Sequence, residues 1–157
     1  MRSFKHWTPR YILNRLALMH YEHKYPESPW LTQSMIKILD NWLHPTDVGL
    51  EFGSGHSTLW FSRRVAHLTS VEHDPVWYTK VNQKLCTPKD NLGKVSYHLC
   101  EDGVKAGENS TYVTVARKIA PNSLDFVLID GVARSYCAMA SIDKLTQVAT
   151  YQATKTA

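Results

Sequence analysis

Residues 48–56 read Val-Gly-Leu-Glu-Phe-Gly-Ser-Gly-His. An apolar strand runs into an acid, then into two glycines one residue apart, then into a helix-like segment. Glycines at that point allow a tight strand-to-helix turn and let a ligand approach the backbone. Glu72 follows about 20 residues later, at the end of a second apolar strand, Leu68 to Val71, which is the spacing of a nucleotide-binding βαβ unit. The expected fold is therefore α/β, a doubly wound open parallel sheet.

The rest of the chain continues that alternation. Ile12, Leu16, Met19 and His23 fall at helical spacing and predict a helix over 10–23, broken by Pro26 and Pro29. Met35, Leu39, Trp42 and Leu43 predict a second helix over 32–43, stopped by Pro45. Strands are expected at 48–52, 68–72, 95–99 and 126–130. Helices are expected at 57–66, after Asp74-Pro75, at 111–119 and from Arg134. Phe126-Val-Leu-Ile129 is continuously apolar, as suits a parallel strand covered on both faces. The division expected is an N-terminal helical cap over 1–45, a nucleotide-binding domain over 46–145 and an atypical tail over 146–157.

Ligands of such sheets bind beyond the carboxyl ends of the strands. An acid stands at or just after each expected strand: Glu51, Glu72, Asp102 and Asp130. Glu72 can accept both hydroxyls of a ribose. Asp102 can accept from an exocyclic amine such as that of adenine. Glu51, beneath the glycine loop, would repel a pyrophosphate and favour a cation such as an amino acid's ammonium group. Each also has a plainer reading: Gly53 and Gly55 as a tight turn alone, Asp102 and Asp130 as helix caps, His56 as a polar loop residue, Arg134 as a solvated helix start.

The four motifs together resemble those of class I S-adenosylmethionine-dependent methyltransferases, over residues 30–145. Glu51-Phe-Gly-Ser-Gly55 is similar to that family's first motif. Val71-Glu-His-Asp74 is similar to its ribose motif, Glu101-Asp-Gly103 to its third-strand motif, and Leu128-Ile-Asp-Gly131 to the fourth-strand motif of small-molecule O-methyltransferases. The resemblance implies S-adenosylmethionine as cofactor. It implies cofactor contacts from Glu51, Gly53, Ser54, Gly55, Glu72, His73, Asp102 and Gly103, and Asp130 beside a small-molecule methyl acceptor as the catalytic group. The expected activity is O- or N-methyl transfer by a transferase with no metal assigned. Two alternatives stand beside it: a catalytically incomplete fragment that binds a ligand or partner, and an NAD-dependent oxidoreductase, against which Glu51 and Thr58 speak.

The family normally continues with a Pro-Gly-Gly turn and further strands, whereas this chain reads Thr146-Gln-Val-Ala-Thr-Tyr-Gln-Ala-Thr-Lys-Thr-Ala157. The expectation is a truncated or frameshifted member whose fourth strand forms an edge and invites self-association.

Composition narrows the setting. At 157 residues the chain suits one domain. The net charge of +4 gathers near the N-terminus, in Arg2, Lys5, Arg10, Arg15 and Lys24. A solvated helix flank accounts for it, and nucleic acid is not an expected partner. No apolar run reaches the roughly 18–20 residues of a membrane span. Cys86, Cys100 and Cys137 are widely spaced with no C-x-x-C, which favours a reducing cytoplasm over a disulfide or zinc scaffold.

Overall fold

A computed structural model describes residues 8, 9, 11–13, 15, 16, 28, 29, 31–86, 94–103 and 107–146. The helix expected over 10–23 lies largely outside these residues. Positions 9, 11–13, 15 and 16 are helical, and Ile12 and Leu16 of its apolar stripe are exposed. The tail after residue 146 also lies outside them.

From residue 31 the elements alternate. Helix α1 (Gln33–Trp42) precedes β1 (Val48–Phe52), α2 (His56–Ser62), β2 (His67–Glu72) and α3 (Pro75–Leu85). Then come β3 (Val95–Leu99), a 3-10 turn (Gly107–Asn109), α4 (Thr111–Arg117), β4 (Phe126–Ile129), α5 (Arg134–Ser141) and a second 3-10 turn (Ile142–Lys144). All pairings are parallel, and the strand order is β3-β2-β1-β4. This is the Rossmann-like, doubly wound α/β sheet that the alternation predicts.

Short polar residues start the helices. Thr32 caps α1 by accepting from the Met35 amide, and Ser110 caps α4 by accepting from Val113. Asp74 caps α3 by accepting from Val76 and Trp77, with Pro75 at the first helical position. Such side chains satisfy amides that have no partner within the helix.

The two-residue period of the strands sorts side chains into two layers. Leu50, Phe52 and Val71 pack with Tyr112, Val113 and Ala116 of α4 and Cys137 of α5. On the opposite face, Leu68 and Phe126 pack with Ile36 of α1 and Trp60 and Phe61 of α2. Leu59, Val81 and Leu85 extend that layer between α2 and α3, with Val95 and Tyr97 beneath. Gly49 is required on this face, because a Cβ there would lie 2.1 Å from the Phe126 ring.

The same period puts Glu51 and Ser70 under α2, which decides the surroundings of Glu51. Beyond β4, Leu124 pairs in parallel with Leu145, and the Thr146 amide donates to the Leu124 carbonyl. The register with β1, in which the Asp130 amide donates to the Phe52 carbonyl, turns the backbone groups of Val127 and Ile129 away from β1.

Candidate functional site

The carboxyl ends of β1, β2 and β4 surround a cleft of about 350 Å³, lined by Gly53, Ser54, Gly55, Glu72, His73 and Asp130 among others. These six residues come from three separate sequence motifs.

Its floor is made where two turns touch. Gly53 has φ +91, and a Cβ on it would sit 2.6 Å from the backbone nitrogen of Gly131. Only glycine meets both conditions, since other residues rarely take that φ and the opposing atom is backbone. Gly131 is pressed from below in turn, where a Cβ would lie 2.0 Å from the Tyr112 hydroxyl. Tyr112 itself is fully buried between Phe52 and the edge of the His73 ring.

Glu72 organises the wall. It is 3% exposed, and both carboxylate oxygens are engaged. Oε2 accepts from the Ser54 amide at 3.0 Å and from the Ser54 hydroxyl at 2.6 Å. Oε1 accepts from the His73 and Asp74 amides at 2.8 and 2.9 Å. The His73 Nδ1 atom lies 3.0 Å from the same oxygen, outside hydrogen-bond alignment. Ser54 is fastened twice more: its hydroxyl shares a 2.6 Å bond with the Tyr97 hydroxyl, and its carbonyl accepts from the Trp77 indole at 2.7 Å. Burial raises the Tyr97 hydroxyl well above the usual phenol range, so that bond stays between neutral groups.

Glu51 stands apart from the cleft. It is fully buried, and three hydroxyls donate to it: Ser57 at 2.5 Å, Thr58 at 2.6 Å and Ser70 at 2.7 Å. Thr58 also accepts from the Gly55 amide at 2.9 Å, which ties the glycine loop to the carboxyl beneath it. Desolvation pushes the Glu51 carboxyl up to about 7; the three hydroxyls oppose that shift and the Glu72 charge adds to it. The expectation placed Glu51 against a ligand's ammonium group; the structure places it beneath the loop, because the sheet's two-residue period turns it toward α2.

Asp102 and Gly103 are likewise not brought to the cleft wall. Asp102 accepts from the Thr111 hydroxyl at 2.5 Å and the Thr111 amide at 2.8 Å, holding the start of α4. Those bonds keep its carboxyl below the usual range, the Thr111 hydroxyl contributing most. Gly103 packs on Tyr112, where a Cβ would come within 2.9 Å of that side chain.

Asp130 does face the cleft, and its side chain is 44% exposed. Arg134 pairs with it at 3.3 Å and also donates to the Asp130 and Gly131 carbonyls, bracing the turn after β4. Leu31, Asp74, Trp77 and Gly131 line the cleft without having been assigned there from sequence. Trp77 carried the best signal: it lies three residues after the Asp74 cap, on the turn of α3 nearest the strand ends. Among the lining residues Glu72, Asp74 and Asp130 are acidic and Arg134 is the basic counterpart. The cleft therefore suits a hydroxyl-rich or cationic ligand better than a polyanion.

Among the described residues no helix is long and apolar enough to cross a membrane, and no group of three ligand-type side chains gathers to hold a metal.

No family model and no curated protein matches the chain. Among solved structures it is similar to precorrin-8W decarboxylase of Methanobacterium thermoautotrophicum, at 19% identity and a TM-score of 0.54. The match covers 76% of this chain and 61% of that protein, so the chain spans about three fifths of its structural neighbour. These findings correct the methyltransferase reading. The neighbour is named for decarboxylation, and no comparison carries either methyl transfer or the oxidoreductase alternative. The physical reason lies in the motifs themselves: a glycine turn and strand-end acids describe how a doubly wound sheet ends, and unrelated chemistries use such ends. What the likeness establishes is the open parallel α/β fold.

Proposed function

We propose that the cleft binds an adenosyl ligand, with S-adenosylmethionine as the cofactor that fits its charge. The observation that carries this reading is the cleft itself, which brings the glycine turn of β1, the acid of β2 and the acid of β4 to one place. Ligands of this sheet class sit there. Gly53 and Gly55 keep the wall free of side chains, and Glu72 offers carboxylate oxygens for ribose hydroxyls.

A ribose hydroxyl would take the position on Glu72 Oε2 that the Ser54 hydroxyl holds. Ser54 then keeps Tyr97 as its partner. His73 and Trp77 line the same cleft, and Asp130 adds an exposed carboxylate that Arg134 holds at its rim. Glu51 acts from beneath, by fixing the loop. The three thiols are free, which supports a cytoplasmic setting.

Calorimetric titration with S-adenosylmethionine, S-adenosylhomocysteine and adenosine tests the reading. Binding of all three is expected, weakened at least tenfold in Glu72→Gln. Because that change also disturbs the loop, Ser54→Ala serves as the second variant. It leaves Glu72 in place, with the backbone amide of residue 54 still on Oε2 and only the hydroxyl's share of that oxygen vacated, and should bind at least as tightly as the parent. Absence of heat with all three ligands at millimolar concentration would overturn the reading.

A further inference from the structure

A second cleft of about 320 Å³ adjoins the first and shares Gly55, His56 and Trp77 with it. Its chemistry differs. Lys80 and Lys84 line it, Leu59 and Val81 form a buried apolar floor, and no acid is among its lining residues. The two lysines lie one helical turn apart on α3, so their ammonium groups project to the same side. Lys80 Nζ lies 5.7 Å from the centre of the Trp77 ring, which steers that side chain along the shared wall. Like charges at this spacing repel on a bare helix. An anion placed between them removes the repulsion and gains a solvent-screened attraction to both.

We propose that this second cleft is an oxyanion subsite in which Lys80 and Lys84 receive a phosphate or carboxylate group. The two clefts form one groove, acidic at the strand ends and basic along α3. Trp77 stands at the junction, its indole N–H fixed on the Ser54 carbonyl and its ring facing Lys80. A molecule with a hydroxylated or cationic part and an oxyanion some distance away would span both halves. A free anion would occupy the basic half alone. The lysine subsite is a distinct claim and rests on the adenosyl reading only for the choice of the spanning probe.

The test is calorimetric titration of the full chain with inorganic phosphate, adenosine and adenosine 5′-monophosphate. The Lys80→Ala/Lys84→Ala and Lys80→Arg/Lys84→Arg variants are compared with the parent. Both lysines are exposed, so the variants should melt where the parent does. Phosphate binding that falls at least tenfold in the alanine variant and survives in the arginine variant supports the subsite. If the monophosphate also binds at least tenfold more tightly than adenosine, the anion belongs to a ligand that spans the groove. If it binds no more tightly while phosphate binding still depends on the lysines, the anion is a separate molecule. Equal phosphate binding by the parent and the alanine variant, or none by either, overturns the proposal. Adenosine binding in the same experiment reports on the first cleft independently.

Discussion

Replacing Glu51 with glutamine should remove the stability loss that this buried carboxyl causes between pH 4.5 and about 7. Glu51 is fully buried, and desolvation raises its carboxyl from 4.5 to about 7. Between those two values the folded chain keeps a proton that the unfolded chain releases. The group's contribution is thus fully present below about pH 4.5 and is lost as pH rises through about 7. The span from 4.5 to about 7, at about 1.4 kcal/mol per pH unit, comes to roughly 3 kcal/mol. Glutamine resembles the protonated acid in shape. Its carbonyl can take the Oε2 position and accept from Thr58 and Ser70, while its amide donates to Ser57 once that hydroxyl turns. The Thr58 bond to the Gly55 amide, which holds the loop, is retained. Urea unfolding followed by tryptophan fluorescence from pH 4.5 to 8.5 measures the effect. The parent should lose on the order of 3 kcal/mol more than the variant across that range. The variant should be the more stable of the two at pH 8 and close to the parent at pH 5. Parallel stability curves, or a variant weaker by the same amount at every pH, would show that the hydroxyl cage holds the charged carboxylate and refute the reasoning.

Four further outcomes follow from the geometry. Gly131→Ala should cost about 1–3 kcal/mol by overpacking against the Tyr112 hydroxyl 2.0 Å away; adding Tyr112→Phe should recover part of that loss in a double-mutant cycle by thermal unfolding, and strict additivity would count against the contact. Ser110→Ala removes a buried cap that bonds both the Val113 amide and the Gly107 carbonyl, and calorimetry should register about 1–2 kcal/mol of lost stability. A thiol reagent under native conditions should label Cys86 alone, because Cys100 and Cys137 are buried and burial pushes the Cys137 thiol up to about 12; labelling of three thiols in the folded protein would contradict the packing. We also propose self-association through the outer edge of β4, where among the described residues pairing stops at Leu124 and the backbone groups of Val127 and Ile129 face away from β1; sedimentation at rising concentration should show a dimer, and a monomer throughout would exclude it.

The fold was legible because periodicity is a local property. The run from Val48 to Phe52, the glycines after it and the Asp74-Pro75 helix start each specify an element within a few residues, and the elements stand where their patterns put them. The cleft was legible at Gly53, Ser54, Gly55, Glu72, His73 and Asp130, since a parallel sheet brings the ends of all its strands to one side. Gly131 was harder to read, because its necessity comes from Tyr112 and Gly53, which are distant in sequence and meet only in three dimensions.

Glu51 and Asp102 show the limit most clearly. Both are strand-end acids, and sequence position alone gave them the same standing as Glu72. The sequence by itself determined that an acid sits at each strand end, and that strands and helices alternate. Tertiary structure decided which way each acid points. The pleat turns Glu51 inward beneath α2, among Ser57, Thr58 and Ser70, and the Thr111 amide and hydroxyl draw Asp102 to the start of α4. A carboxylate is satisfied by whichever donors reach it first, and only the packed chain determines where those donors are.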